Sequence, residues 1–194
     1  MVMSQPVSQS GYLSGKLLIA SPLIGDPRFD RSVVFVCSHD DGQAMGLIVN
    51  RPMDGLHLPD LLDQLEIAQA ERAPDTPVLD GGPVDRDRGF VLHTPDAGCG
   101  PGSLVIADRV ALTATREILD CLVCDAPPRR AVMALGYAGW DAGQLEDEIA
   151  ANAWLVAEPE EDLLFSPGHE EKWARALGLL GVTPEFLTAA SGHA

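Results

Sequence analysis

The chain has 194 residues, 46% of them hydrophobic and 22% charged, and 29 acidic against 13 basic side chains give a formal net charge of −16. A chain of this length buries about 70% of its unfolded surface without a disulfide or metal staple, and it contains no apolar run near the roughly 20 residues of a membrane helix. The acidity runs along the whole chain, and such a field repels polyanions over about 8 Å at physiological salt, which disfavours direct nucleic-acid contact.

The elements can be read in order. Met1–Gly11 is polar and lacks the basic and apolar regions of a secretory signal, so a frayed tail and a cytoplasmic location are expected. Lys16–Ala20 reads as a strand closed by Ser21-Pro22. Ser32–Ser38 is a β-branched, apolar run, and after the turn His39-Asp-Asp-Gly42 Ala44–Asn50 runs back as a second strand, the pattern of a hairpin that Arg51-Pro52 ends. Leu58, Leu61, Leu62 and Leu65 recur at helical spacing and predict a helix over Leu58–Ile67. Ala68–Pro77 is a polar connection, Val78–Leu79 leads into Gly81-Gly82-Pro83, and Gly89–Thr94 is a strand.

Thr94–Gly102, with three glycines and two prolines, predicts an irregular loop. Ser103–Ala107 reads as a short strand and Leu112–Cys124 as a helix, followed by a buried strand over Arg130–Tyr137. Trp154–Ala157 is a strand, Pro159–Leu164 a helical turn, and His169–Leu180 the last amphipathic helix, with Val182–Ala194 as a fraying tail. Hairpins mixed with crossover helices argue for a mixed sheet in one α/β or α+β domain over residues 1–194.

Four cysteines do not make a metal site. Cys121 and Cys124 form a lone CxxC without a second pair, Cys37 sits in an apolar strand, and Cys99 is the expected exposed thiol. Reduced cysteines, no metal and no cofactor are expected.

The densest stretch is Gly136-Tyr-Ala-Gly-Trp-Asp-Ala-Gly-Gln-Leu-Glu-Asp-Glu, running on to Trp154. Its glycines allow a tight strand-to-helix junction, Asp141 is positioned to cap the helix, and Leu145 and Ile149 mark that helix's apolar face. Earlier come Gly15-Lys-Leu-Leu-Ile-Ala-Ser-Pro22, Asp26-Pro-Arg-Phe-Asp-Arg-Ser-Val-Val34, Gly46-Leu-Ile-Val-Asn-Arg-Pro52, Gly81-Gly-Pro-Val84 and Arg88-Gly-Phe-Val-Leu-His93. In this order and spacing, from about Gly11 to Phe165, the chain resembles the AlgH/YqgE family of bacterial proteins. The resemblance implies a bent, barrel-like sheet surrounded by helices. It implies no settled activity, and the family's label as a transcriptional regulator names a role without a chemistry.

Standard catalytic signatures are missing from the sequence: no GxSxG elbow, no GxxxxGK[ST] loop, no GxGxxG after a strand and no HExxH. Three groups of residues are candidates for binding. His39, Asn50, Arg51 and His93 are polar groups at strand ends, able to shuttle a proton or hold a carboxylate or phosphate; alternatively, His39 satisfies turn backbone and Asn50 and Arg51 tie down the strand exit. Gly81 and Gly82, with Arg86 and Arg88, suggest an anion nest or simply a tight turn. Tyr137, Trp140, Gln144 and Glu148 form a polar, aromatic stripe, or Gln144 braces the junction through backbone hydrogen bonds.

The expected function is a non-catalytic binding or regulatory domain with an unknown protein or small-molecule partner, acting as monomer or homodimer. Its alternative is a small hydrolase or transferase using His39 or His93 near Arg51. A DNA-binding regulator rests on the family label alone and lacks a basic helix-turn-helix.

Overall fold

Runs of buried Val, Leu and Ile fix the first strands of a sheet on which everything else is hung. The computed structural model describes residues 12–96 and 102–190; Met1–Gly11, Cys99 and the last four residues of the expected C-terminal tail lie outside the described residues. Strands β1 (Leu17–Ala20), β2 (Val33–His39) and β3 (Gln43–Ile48) form an antiparallel meander. The β2–β3 turn is held by Asp40, whose Oδ1 accepts from the amides of Gly42 and Gln43 at 2.8 and 3.1 Å.

The chain continues through β4 (Pro52–His57), α1 (Leu58–Gln64), β5 (Pro77–Asp80), β6 (Val84–His93), β7 (Ser103–Ile106), β8 (Val110–Thr113) and α2 (Arg116–Leu122). It ends with β9 (Ala131–Asp141), α3 (Gln144–Ala150), β10 (Trp154–Ala157), α4 (Glu161–Phe165), α5 (Lys172–Leu179) and α6 (Pro184–Ala190). The strands join in one sheet of order β10-β1-β2-β3-β9-β6-β8-β7, with β4 and β5 branching from β9. Among the described residues only the pairing of β5 with β9 is parallel. The sheet curls into a half-barrel.

Its inner face carries Leu17, Phe35, Leu47, Phe90, Leu92 and Leu112, closed from one side by Leu163, Leu164, Trp173 and Leu177 of α4 and α5. On the outer face α1 and α2 pack Leu58, Leu62, Ile118 and Leu122 against Val78, Val91 and Met133. There too α3 sets Leu145 among Val34, Ile48, Trp140 and Trp154.

Two glycines make the branch point possible. The segment after β5 crosses β9 so closely that a Cβ on Gly82 (φ +148°) would lie 2.1 Å from the carbonyl carbon of Tyr137, and one on Gly136 (φ +75°) 2.4 Å from the oxygen of Gly82. At Gly136 the long strand β9 changes neighbour on one edge, from β5 at Ala134 and Leu135 to β3 from Ala138 onward, while β6 pairs along its other edge.

Four differences from the sequence reading have physical causes. The expected helix Leu112–Cys124 begins instead at Arg116, because Val110–Thr113 is a strand buried on both faces and so shows no period-two signal. The hairpin does end before Arg51-Pro52, but Pro52 also opens an unexpected edge strand, β4, where a missing N–H is tolerated. Asp141 does not cap α3: Gly143, in a left-handed conformation (φ +76°), holds the N-cap position, and the amide of Asp141 donates to Gln144 Oε1 at 3.0 Å. Within the expected C-terminal tail, Pro184–Ala190 is helical, with Pro184 at its first position.

Candidate functional site

The polar candidates at strand ends stand apart. His39, on the last residue of β2, lies opposite Ala44, which pairs with Trp140 near the end of β9, whereas His93 pairs with Ala131 at its start. Those positions are separated by about 30 Å of strand contour at roughly 3.3 Å per residue. Asn50 and Arg51 follow the far end of β3. The three places do not share a pocket.

Each of these side chains is engaged by the fold. His39 is buried; its Nδ1 accepts from the amide of Leu13 at 3.0 Å, so Nε2 carries the proton it donates to Glu146 Oε1 at 2.8 Å, and Tyr12 packs edge-on against the ring. Asn50 Oδ1 accepts from the amide of Val33 and its Nδ2 donates to Arg31 O, both at 2.9 Å. The Arg51 guanidinium donates to the carbonyls of Arg28 and Asp30 and to Ser32 Oγ. His93 is buried, with Nδ1 donating to Thr94 O and Nε2 accepting from Thr113 Oγ1, both at 2.9 Å; Thr113 in turn meets Ser103 Oγ at 2.6 Å. The pair Gly81-Gly82 is equally engaged: Gly81 donates to Leu135 O and accepts from Ile48 N, and Gly82 N turns toward Asp80 Oδ1.

The aromatic stripe resolves into two unlike halves. Trp140 and Trp154 both donate to Glu148 Oε2, at 2.9 and 2.8 Å, while Gln144 Nε2 donates to Glu148 Oε1 at 2.9 Å. That cluster belongs to the outer face. Tyr137 instead packs against the inner-face core, its ring 5.8 Å from Phe90 in an edge-to-face contact.

An open groove of about 570 Å³ lies at this inner face, crossed in turn by β3, β9, β6, β8 and β7. Its floor is set by alternate residues, Met45, Tyr137 and Gly139, Arg88 and Phe90, Leu112 and Leu104, and at the ends of β3 and β9 the consecutive residues Gln43, Ala44, Trp140 and Asp141 also border it. Arg88 is exposed, its guanidinium 5.1 Å above the ring of Phe90. Arg88 is not among the ion-paired arginines of the described residues, unlike Arg86, which binds Asp80 at 3.0 Å. The Tyr137 ring lies close over Gly139: a Cβ there would stand 3.3 Å from Tyr137 Cε2. Asp141 lines one end of the groove and sets its acidic limit.

Among the described residues no group of three or more His, Cys, Asp or Glu side chains is placed to hold a metal ion. Cys37 is buried, and burial pushes its thiol up to about 12, far from thiolate reactivity. No helix of the described residues is long and apolar enough to cross a membrane.

A family model described as AlgH-like matches residues 17–185. The chain belongs to the AlgH-like family. Among its AlgH-like relatives, a UPF0301 protein of Caulobacter vibrioides is 50% identical over 184 residues, 94% of each chain, and one of Ruegeria pomeroyi is 50% identical over 94% of this chain and 99% of its own. The solution structure of the AlgH protein from Pseudomonas aeruginosa matches with TM-score 0.75 and 37% identity over the whole of both chains. A crystal structure of a Corynebacterium diphtheriae protein matches in fold, at TM-score 0.69 and 19% identity, over all of this chain and 95% of that one.

Within this AlgH-like chain, sequence reasoning singles out Arg88, Tyr137 and Trp140, which border the groove, but misses Met45, Phe90, Leu104 and Leu112. The available signal is alternation: Arg88 and Phe90, like Tyr137 and Gly139, are two apart on one strand and face one side.

Proposed function

We propose that this chain is a non-catalytic binding protein with a regulatory role, acting in the cytoplasm through a small-molecule or protein partner held in the inner-face groove. The observation that supports this most directly is Arg88: a solvent-exposed guanidinium without an ion pair among the described residues, stacked on Phe90 at the wall of a groove that mixes apolar side chains with Ser38, Gln43 and Asp141. Grooves of a few hundred Å³, largely apolar with a few polar anchors, are the usual form of ligand sites. The engagement of His39, Asn50, Arg51 and His93 by backbone and neighbouring side chains supports a structural role for that set rather than a hydrolase or transferase. The net charge of −16 favours regulation through a partner over direct DNA contact.

Amide NMR with a set of small organic fragments tests the reading. Shifts should cluster at Met45, Arg88, Phe90, Leu104 and Tyr137. The reading fails if shifts scatter over the surface, or if His39→Ala or Arg51→Ala abolishes a reproducible turnover while leaving thermal stability intact.

A further inference from the structure

Resting on that groove as the binding site, the chemistry of its walls narrows the ligand to one class. We propose that the groove takes an apolar monocarboxylate, its carboxylate on Arg88 and Tyr137 and its hydrocarbon or aromatic body along Met45, Phe90, Leu112 and Leu104. Three observations carry this.

The first is the polar inventory of the groove. Arg88 and Tyr137 both line it, joined through Phe90, the guanidinium 5.1 Å above that ring and the phenol ring 5.8 Å from it. Among the described residues neither the Arg88 guanidinium nor the Tyr137 hydroxyl has a protein hydrogen-bond partner, whereas the guanidinium groups of Arg51, Arg72, Arg116, Arg129, Arg130 and Arg175 are all taken. A planar fork of N–H donors and an O–H donor lining the same groove match the two oxygens of a carboxylate in chemistry.

The second is charge. A single arginine faces the groove, Asp141 lines one end of it, and the whole chain carries −16. A phosphate or a polyanion would meet one cation and much repulsion; a monoanion is the charge that one guanidinium neutralises. The third is the lining: Ser38 and Gln43 lie toward the end marked by Met45 and Asp141, while Met45, Phe90, Leu104 and Leu112 form an apolar part without a hydrogen-bonding group, and Leu104 stands about half exposed on the edge strand β7. Such a surface gains by covering an apolar body.

The same chemistry comes from two sources, a free acid or the C-terminal carboxylate of an apolar peptide. The test uses decanoate below its micelle concentration, decan-1-ol, acetate, and a short leucine-rich peptide with its C-terminus free or amidated. Binding is followed by amide and arginine side-chain NMR on the full chain. Decanoate or the free peptide should bind saturably, moving Arg88, Phe90 and Tyr137, while acetate and the neutral counterpart bind at least tenfold more weakly. Arg88→Gln should weaken the carboxylate at least tenfold, as expected for loss of a charge-assisted pair, and Tyr137→Phe severalfold.

Which of decanoate and peptide binds names the source. If decanol equals decanoate, or Arg88→Gln changes nothing while the groove still shifts, the carboxylate assignment is overturned and the groove survives as the site. If no probe moves the groove and the fragment shifts scatter as well, both readings fall.

Discussion

The indoles of Trp140 and Trp154 meet edge to face with centroids 5.9 Å apart, and their two N–H groups converge on a single carboxylate oxygen of Glu148. Trp140 is the penultimate residue of β9 and Trp154 opens β10, so one side chain of α3 closes the strand-to-helix-to-strand unit at both ends. Gln144 holds the other carboxylate oxygen and with its own Oε1 accepts from the amide of Asp141.

Glu148→Ala should therefore cost about 2–4 kcal/mol, because it strands two indole donors whose burial is compensated only by this acceptor. Glu148→Gln should cost less, since its carbonyl oxygen can still take both indoles. Denaturant unfolding followed by tryptophan fluorescence gives the ranking. A loss below about 0.5 kcal/mol for the alanine variant would show that the carboxylate does not close the unit.

The glycines divide into two kinds. Gly82→Ala and Gly136→Ala should each abolish or severely weaken folding, since the added Cβ meets backbone of a crossing strand at 2.1 and 2.4 Å. Gly143→Ala should cost only about 1 kcal/mol, the strain of a left-handed alanine, because nothing lies within 4 Å of its Cβ. Equal thermal shifts for all three variants would contradict the crossing geometry.

Much of this arrangement is legible in the amino-acid sequence. The Val-rich β2, the apolar run through β3, the Asp40-Gly42 turn and the glycines at 81, 82 and 136 announce a hairpin and tight turns through local chemistry alone. The alternative reading of Asn50 and Arg51, as groups tying down the strand exit, matches their hydrogen bonds, whereas His39 serves the distant amide of Leu13 and the carboxylate of Glu146 rather than its own turn. What local pattern cannot supply is strand order. Met45, Arg88, Leu104 and Tyr137 line one groove only because β9 is inserted between β3 and β6, and β8 lies beyond β6. The strand at Val110–Thr113 escapes the sequence pattern for a different reason: buried on both faces, it has no alternation, and its apolar residues run into those of α2.

The buried chain Ser103–Thr113–His93 ties β7, β8 and β6 together. With Nδ1 donating to the Thr94 carbonyl, His93 Nε2 must accept, so Thr113 donates to it and accepts from Ser103. Thr113→Val keeps the volume, leaves the imidazole nitrogen without its donor, and should cost about 1–3 kcal/mol. Nitrogen-15 NMR of the imidazole should show the proton on Nδ1 in the wild type. A proton on Nε2 alone would reverse the assigned direction of the chain.

Lys172 offers a pH signature of the fold. Its side chain is fully buried, its ammonium donating to Val49 O at 2.9 Å and Leu164 O at 3.0 Å, and burial lowers its pKa from the usual 10.5 to about 8. Because the folded protein releases this proton first, the unfolded chain binds more protons between pH 8 and 10.5. The lysine's destabilising contribution is full below pH 8 and fades as pH rises through that window, giving a positive slope of up to about 1.4 kcal/mol per pH unit. Cys37 acts oppositely above pH 9, where its thiol, raised to about 12, stays protonated in the folded state while the unfolded thiol ionises. The comparison therefore belongs between about pH 7.5 and 9, wild type against Lys172→Met, by urea unfolding. Wild-type stability should rise with pH relative to the variant; parallel curves would mean that the buried ammonium keeps its ordinary pKa, held by the two carbonyls strongly enough to cancel the effect of burial.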